Sequence, residues 1–211
     1  MKKIAVVAAG GRAARKIITE AAARGMDVTA FGRSEENRTD AQHYVRKDIF
    51  ALTKADLTGF DAVVDAFGAW TDETLPQHST TLAHLCDLLS GTDTRLLIVG
   101  GAGSLFVDPE HTLALSGTPD FPDTFKPLAA AMANALEALR KRHDVRWTYV
   151  SPAADFQADG KRSGKYLLGG EELKLNERGE SIISYADYAI AMVDEIEKGS
   201  HIQKRISVVR A

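Results

Sequence analysis

The sequence predicts an α/β fold, a doubly wound parallel sheet with a small C-terminal lobe, and three observations carry that reading. Short runs rich in β-branched and apolar residues recur along the chain (Lys3–Val7, Asp27–Phe31, Asp61–Asp65, Arg95–Val99, Arg146–Val150). Segments with helical spacing lie between them, so strand and helix alternate. The first strand passes through Gly10-Gly11 straight into a helix, and strand, helix and strand within roughly thirty residues make one right-handed βαβ unit.

Composition sets the bounds. At 211 residues, 45% hydrophobic and 26% charged, the chain reads as one globular domain over 1–211, with 156–183 as a small insertion. A net charge of −3, with both signs interspersed, gives no footprint for nucleic acid or an anionic membrane. The expected partner is a small molecule, with a protein partner if the chain is a sensor; oligomeric state stays open. No leader pattern or membrane-length apolar run is present, so a cytoplasmic location is expected. The single cysteine, Cys86, sits among Leu82, Leu85 and Leu89 and should be buried and inert. No cluster has metal-ligand spacing, and no metal is expected.

Taken in order, the first turn is the most informative stretch. Residues without Cβ let backbone N–H groups at the start of a helix approach a phosphate, which the helix dipole also favours. Ala9, Gly10, Gly11, Arg12, Ala13 and Ala14 therefore form the candidate phosphate cradle of a Rossmann-type fold. The spacing resembles the G-x-x-G-x-x-G turn of the short-chain dehydrogenase/reductase superfamily, laid on Ala8, Gly11 and Ala14, with alanine at the first and third positions. The alanine at the first position is the larger departure. The helix should run from Gly11 to Arg24, closed by Gly25.

The second strand ends in Phe31-Gly32-Arg33-Ser34, without the acidic residue that would bind the ribose hydroxyls of NAD. Arg33 offers a forked cation to a 2′-phosphate instead, so NADP(H) is expected ahead of NAD(H). Arg12 either reaches the same phosphate or is a solvated loop residue. After the third strand, around Tyr44-Val45-Arg46, Asp48-Ile49 resembles the superfamily pair that meets the adenine; Asp48 also reads as an N-cap.

The fourth strand runs into Ala66-Phe67-Gly68-Ala69-Trp70, where small residues let a ligand lie against the backbone. Phe67 and Trp70 either wall that cleft or belong to the core. A helix from Pro76 to Ser90 leads to the fifth strand, which spills into Gly100-Gly101-Ala102-Gly103-Ser104. Gly101 is a candidate cofactor contact. Superfamily members often carry a substrate-contacting serine just after this strand, which makes Ser104 the candidate catalytic residue. The long stretch from Leu105 to Phe125 reads as a substrate-side cover.

The next helix, Pro127 to Lys141, is where short-chain dehydrogenases keep a Tyr-x-x-x-Lys pair; those positions fall near Ala130 and Asn134, and neither member is present. Asn134 is a candidate substrate contact. The sixth strand ends in Ser151-Pro152-Ala153, with Pro152 a candidate cofactor contact and Phe156 a candidate substrate contact. Beyond it, a β-ribbon is expected from Leu173-Lys174-Leu175 and Ser181-Ile182-Ile183. Ser184 to Asp187 is a capping box opening an amphipathic helix that Gly199 ends, and Arg205–Val209 should return as the sheet-edge strand.

The stretches Asp61–Trp70, Arg95–Ser104 and Asp144–Phe156 together resemble the atypical short-chain dehydrogenases with an NAD(P)H-binding domain, the group containing NADH-flavin reductases, biliverdin-IXβ reductase and NmrA-like regulators. The resemblance spans essentially the whole chain. It implies an NAD(P)H-dependent oxidoreductase that passes hydride to a flavin or quinone-like acceptor, with FMN or FAD as a substrate and not a tightly held group. Absence of the tyrosine and lysine agrees with this, because a flavin or quinone delocalises the incoming charge in its own rings. A non-catalytic NmrA-like dinucleotide sensor is the alternative. A nucleotide-sugar epimerase fits less well, since those enzymes generally retain the tyrosine.

Overall fold

The computed structural model describes residues 1–211. Five strands, β1 (Lys3–Val7), β2 (Asp27–Gly32), β3 (His43–Arg46), β4 (Ala62–Asp65) and β5 (Arg95–Val99), are followed by β6 (Arg146–Ser151). The short β7 (Asp155–Gln157), β8 (Tyr166–Gly169) and β9 (Ile182–Ser184) precede the last strand, β10 (Lys204–Arg210). The main sheet has the order β3-β2-β1-β4-β5-β6-β10-β8, and every pair in it is parallel except β10 with β8. The order reverses between β1 and β4, which places the crevice of a doubly wound sheet beside the Gly10-Gly11 turn.

Four helices cover the two faces: α1 (Arg12–Ala23), α2 (Gln77–Leu89), α3 (Lys126–Arg140) and α4 (Tyr185–Lys198). Alternation along the strands assigns the layers. Ile4 and Val6 point to the face where Ile17, Ile18 and Ala21 of α1 meet Tyr188, Met192 and Ile196 of α4. Ala5 and Val7 point to the other, where Leu82, Leu85 and Leu89 of α2 meet Leu136 and Leu139 of α3. Cys86 lies in this second layer, and burial pushes its thiol up to about 12, so it is inert as expected. No helix is long and apolar enough to cross a membrane.

The helix ends follow the sequence closely. Gly25 and Gly199 take left-handed conformations (φ 75° and 64°) after α1 and α4, where a side chain would be strained. The Ser184 hydroxyl accepts from the Asp187 N–H and caps α4. The reciprocal half of the expected capping box is absent. The buried Asp187 carboxylate instead accepts from the backbone N–H groups of Ser163 and Gly164, tying the lobe to the helix.

Three expectations in the C-terminal half are corrected. Strand β10 is not at the sheet edge, because β8 adds outside it in antiparallel register, Val208 opposite Leu168. The ribbon of 173–175 with 181–183 does not form. The Leu173 N–H is donated to the Phe106 carbonyl, the Asn176 side chain closes a tight turn onto Arg178 and Glu180, and β9 pairs in parallel with β7. The stretch 105–125 is stapled to the lobe by the Phe106 N–H, donated to the Glu171 carbonyl, and is closed on itself by the Val107 N–H, donated to the Leu113 carbonyl. None of its residues lines the principal cavity, so it is not a cover over that cavity.

Candidate functional site

Where the strand order reverses, the C-terminal ends of β1 to β5 open onto a cavity of about 900 Å³. Its first wall is the turn after β1. Ala8 is left-handed (φ 57°), the Gly11 N–H is donated back to the Ala8 carbonyl at 3.2 Å, and Gly11 enters α1 with extended backbone. Ala8, Gly10, Gly11, Arg12, Ala13 and Ala14 line the cavity; Ala9 is fully buried and does not.

These glycines are not required by the packing of the protein itself. A Cβ on Gly10 would meet nothing within 4 Å, and one on Gly11 would make only ordinary contacts, the nearest being the Ala8 carbonyl oxygen at 3.6 Å. The space they leave belongs to the cavity, and it lies at a helix N-terminus whose first-turn N–H groups have no acidic side chain to receive them. A pyrophosphate fits this cradle in both room and charge.

The turns after β2 and β3 form the second wall. Gly32, Arg33 and Ser34 line it, and Gly32 is held small because a Cβ there would press on the Tyr44 hydroxyl at 2.9 Å, itself donated to the Ser34 carbonyl. Arg33 is exposed and has no side-chain partner. Lys47 lines the same corner but is paired with Asp56 at 2.7 Å, which holds the Asp56 carboxyl down to about 2. Asp48 and Ile49 line the cavity, and Asp48 accepts from the Phe50 N–H, so it is a cap as well as a wall residue. Arg12 is directed elsewhere: its guanidinium pairs with Asp159 at 3.2 Å and lies 5.8 Å from the Tyr185 ring centroid.

The third wall is built after β4 and β5 and by α2, α3 and the lobe. Ala66, Phe67, Gly68, Ala69 and Trp70 line it as the β4 sequence suggested, and Trp70 is 73% exposed at the mouth. Phe156 also lines the cavity and packs on Tyr185 with centroids 4.1 Å apart. Gln77 and His78 enter from α2; the His78 Nε2 lies 3.2 Å from the Ala69 carbonyl, and burial lowers its pKa. Beneath this wall Asp65 is 4% exposed and accepts only from the Phe67 N–H, and burial raises its carboxyl to about 6.

Besides Ala9, four candidates from the sequence lie away from the cavity: Ser104, Gly101, Pro152 and Asn134. Ser104 is drawn off by buried Arg205, whose guanidinium donates to its hydroxyl at 3.0 Å and to its carbonyl at 2.9 Å. Gly101 is small for packing reasons, since a Cβ there would meet the Met132 sulfur at 2.9 Å. Pro152 is buried, and Asn134 faces solvent on α3. The α3 face that does meet the cavity presents Leu128 and Met132, four residues apart. Ala130 and Asn134, where the sequence places the missing pair, do not line the cavity. At the positions that face the cavity, both side chains are apolar.

Sequence reasoning missed Ala8, Lys47, His78, Leu128, Met132 and Tyr185 as wall residues. Leu128 and Met132 had a signal in their i, i+4 spacing on an amphipathic helix, although it was equally that of core residues. Tyr185 and His78 had none, because their placement depends on how the lobe and α2 dock.

The NAD(P)H-binding family matches residues 8–198 of the chain. The uncharacterized protein YwnB of Bacillus subtilis (strain 168) is 42% identical over 208 residues, 98% of each chain. A solved structure from Streptococcus pneumoniae, described as "a putative NADH-flavin reductase", is 54% identical with a TM-score of 0.97, and the whole of both chains is covered. Another, "putative epimerase" from Bacteroides thetaiotaomicron, is 34% identical with a TM-score of 0.86, covering 99% of this chain and 97% of that one.

Proposed function

The chain belongs to the NAD(P)H-binding family, and from that premise we propose that it is an NAD(P)H-dependent oxidoreductase, a flavin reductase passing hydride to a flavin or quinone-like acceptor. The observation that carries this reading is the contrast between the cavity's two ends: an open glycine cradle at one, and an aromatic and apolar wall without an acid–base pair at the other. The likeness to the Streptococcus protein supports the same class.

In this reading Gly10, Gly11 and the first turn of α1 receive the pyrophosphate, and Arg33 receives a 2′-phosphate, which favours NADP(H) over NAD(H). When bound, the reduced dinucleotide supplies the hydride. Phe67, Gly68 and Trp70 hold the acceptor ring flat and exclude water from it, so orientation replaces general acid catalysis. FMN or FAD is a substrate that comes and goes. Ser104 and Asn134, which do not line the cavity, take no part; Leu128 and Met132 on the cavity face of α3 are the reason an epimerase, which would use a tyrosine there, is not favoured.

The test is a titration with NADPH and with NADH, followed by addition of FMN while nicotinamide absorbance is recorded. Tight binding with stoichiometric loss of the reduced nicotinamide signal supports the reductase. Tight binding without loss for flavins and quinones alike would make the protein a dinucleotide sensor instead.

A further inference from the structure

The charged lining residues of the cavity belong to its first three turns, and of these only Arg12 extends its guanidinium toward the lobe, where Asp159 pairs with it. Arg12, Arg33, Lys47 and Asp48 all stand on the turns after β1, β2 and β3. The remainder of the lining, after β4 and β5 and from α2, α3 and the lobe, carries no ionised side chain: its larger members are Trp70, Leu128, Met132, Phe156 and Tyr185. Its polar side chains are Gln77 and His78, and burial keeps His78 neutral.

From this separation we infer that the acceptor is recognised as an uncharged planar ring system, riboflavin-like or quinone-like, and that a phosphate carried by the acceptor is not bound. The inference rests on the reductase reading and narrows it. A phosphate recognised by a forked cation or a set of charge-assisted hydrogen bonds would add roughly ten- to a hundredfold in affinity. No side chain of the acceptor end can supply that. The one lining cation that reaches toward the lobe, Arg12, lies 5.8 Å from the Tyr185 ring centroid and is paired with Asp159 at 3.2 Å. An acceptor phosphate would therefore remain in solvent at the mouth beside Trp70, whereas an apolar ring gains from every contact with the wall.

The experiment measures binding and turnover separately. With NADP⁺ saturating, riboflavin and FMN are titrated by quenching of flavin fluorescence, and menadione by its competition with riboflavin. NADPH oxidation is then followed with each acceptor. Riboflavin and FMN should bind within about threefold of each other, independently of salt, and menadione should compete. FMN binding tenfold or more tightly than riboflavin, with the difference abolished by added salt or by Arg12→Ala, overturns the inference while leaving the reductase reading intact. Failure of riboflavin and menadione to bind also overturns it. Equal binding of riboflavin and FMN without NADPH oxidation upholds the ring-only site and overturns the reductase reading.

Discussion

Arg12 and Asp159 form an ion pair at 3.2 Å across the cavity mouth, joining the glycine turn to the lobe. The two side chains are 66% and 97% exposed, so the pair itself contributes little, roughly 0–1 kcal/mol. Its consequence is directional. With Arg12 directed toward Tyr185, Arg33 is the lining cation that has no carboxylate partner.

The first prediction divides the two arginines. Arg33→Ala should weaken NADPH by about 1.5–3 kcal/mol, roughly ten- to a hundredfold, and leave NADH nearly unchanged. Arg12→Ala should leave the ratio of the two dissociation constants within about twofold, the exposed pair being weak. Added salt should weaken NADPH more than NADH in the unmutated protein. Fluorescence titrations of both cofactors check all three, and equal dissociation constants for them in the unmutated protein would remove Arg33 from the site.

Ala8 carries the second prediction. Its left-handed backbone (φ 57°) costs an L-residue about 1 kcal/mol or more, and glycine adopts it freely. Ala8→Gly should therefore raise stability by roughly 0.5 kcal/mol once about 0.4–1 kcal/mol for the added freedom of the unfolded chain is taken off, visible as a slightly higher Tm. An unchanged or lower Tm would show that the turn relaxes around the alanine.

Much of this site was legible in the sequence, and the limit of that legibility is physical. Gly10, Gly11, Arg33, Asp48 and Gly68 stand on turns that directly follow parallel strands, so local pattern alone delivers them to one crevice. Ser104 follows its strand in the same way, yet a single buried guanidinium 101 residues later draws it aside. The choice between strands at the sheet edge failed for the same reason. Tyr166–Gly169 pairs with β10 through contacts between distant segments, and nothing local to either stretch distinguishes an edge from an interior position.

Gly11 gives a third prediction, in which folding and binding separate. A Cβ there contacts nothing closer than 3.6 Å, and φ −66° with ψ 154° suits a β-branched residue. Gly11→Val should fold with stability within about 1 kcal/mol of the unmutated protein, yet lose dinucleotide binding, because its methyl groups fill the phosphate cradle. Calorimetry with NADPH, alongside a melting curve, separates the two. A folded variant with unchanged affinity would mean that the cradle holds no phosphate.

The last prediction concerns Asp65, at the end of β4 beneath the aromatic wall. Its carboxyl is 4% exposed, accepts a single hydrogen bond from Phe67 N–H at 3.0 Å, and is raised by burial to about 6 from 3.8. His78, Cys86 and Tyr149 face it from α2 and β6, and none is a cation at neutral pH to offset the charge. The folded protein thus binds the proton more tightly than the unfolded chain does. Stability from this group is complete below about pH 4 and is lost as pH rises through about 6. The loss is on the order of 3 kcal/mol, since each tenfold gain in proton affinity is worth about 1.4 kcal/mol. Asp65→Asn keeps an oxygen for the Phe67 N–H and removes the titration. Relative to the unmutated protein it should be more stable by about that amount at pH 8 and no more stable at pH 4. Denaturant unfolding at the two values, taken as a difference between variant and unmutated protein, cancels the titrating groups that do not interact with Asp65. A difference that does not grow with pH would mean that Asp65 is solvated or paired in solution.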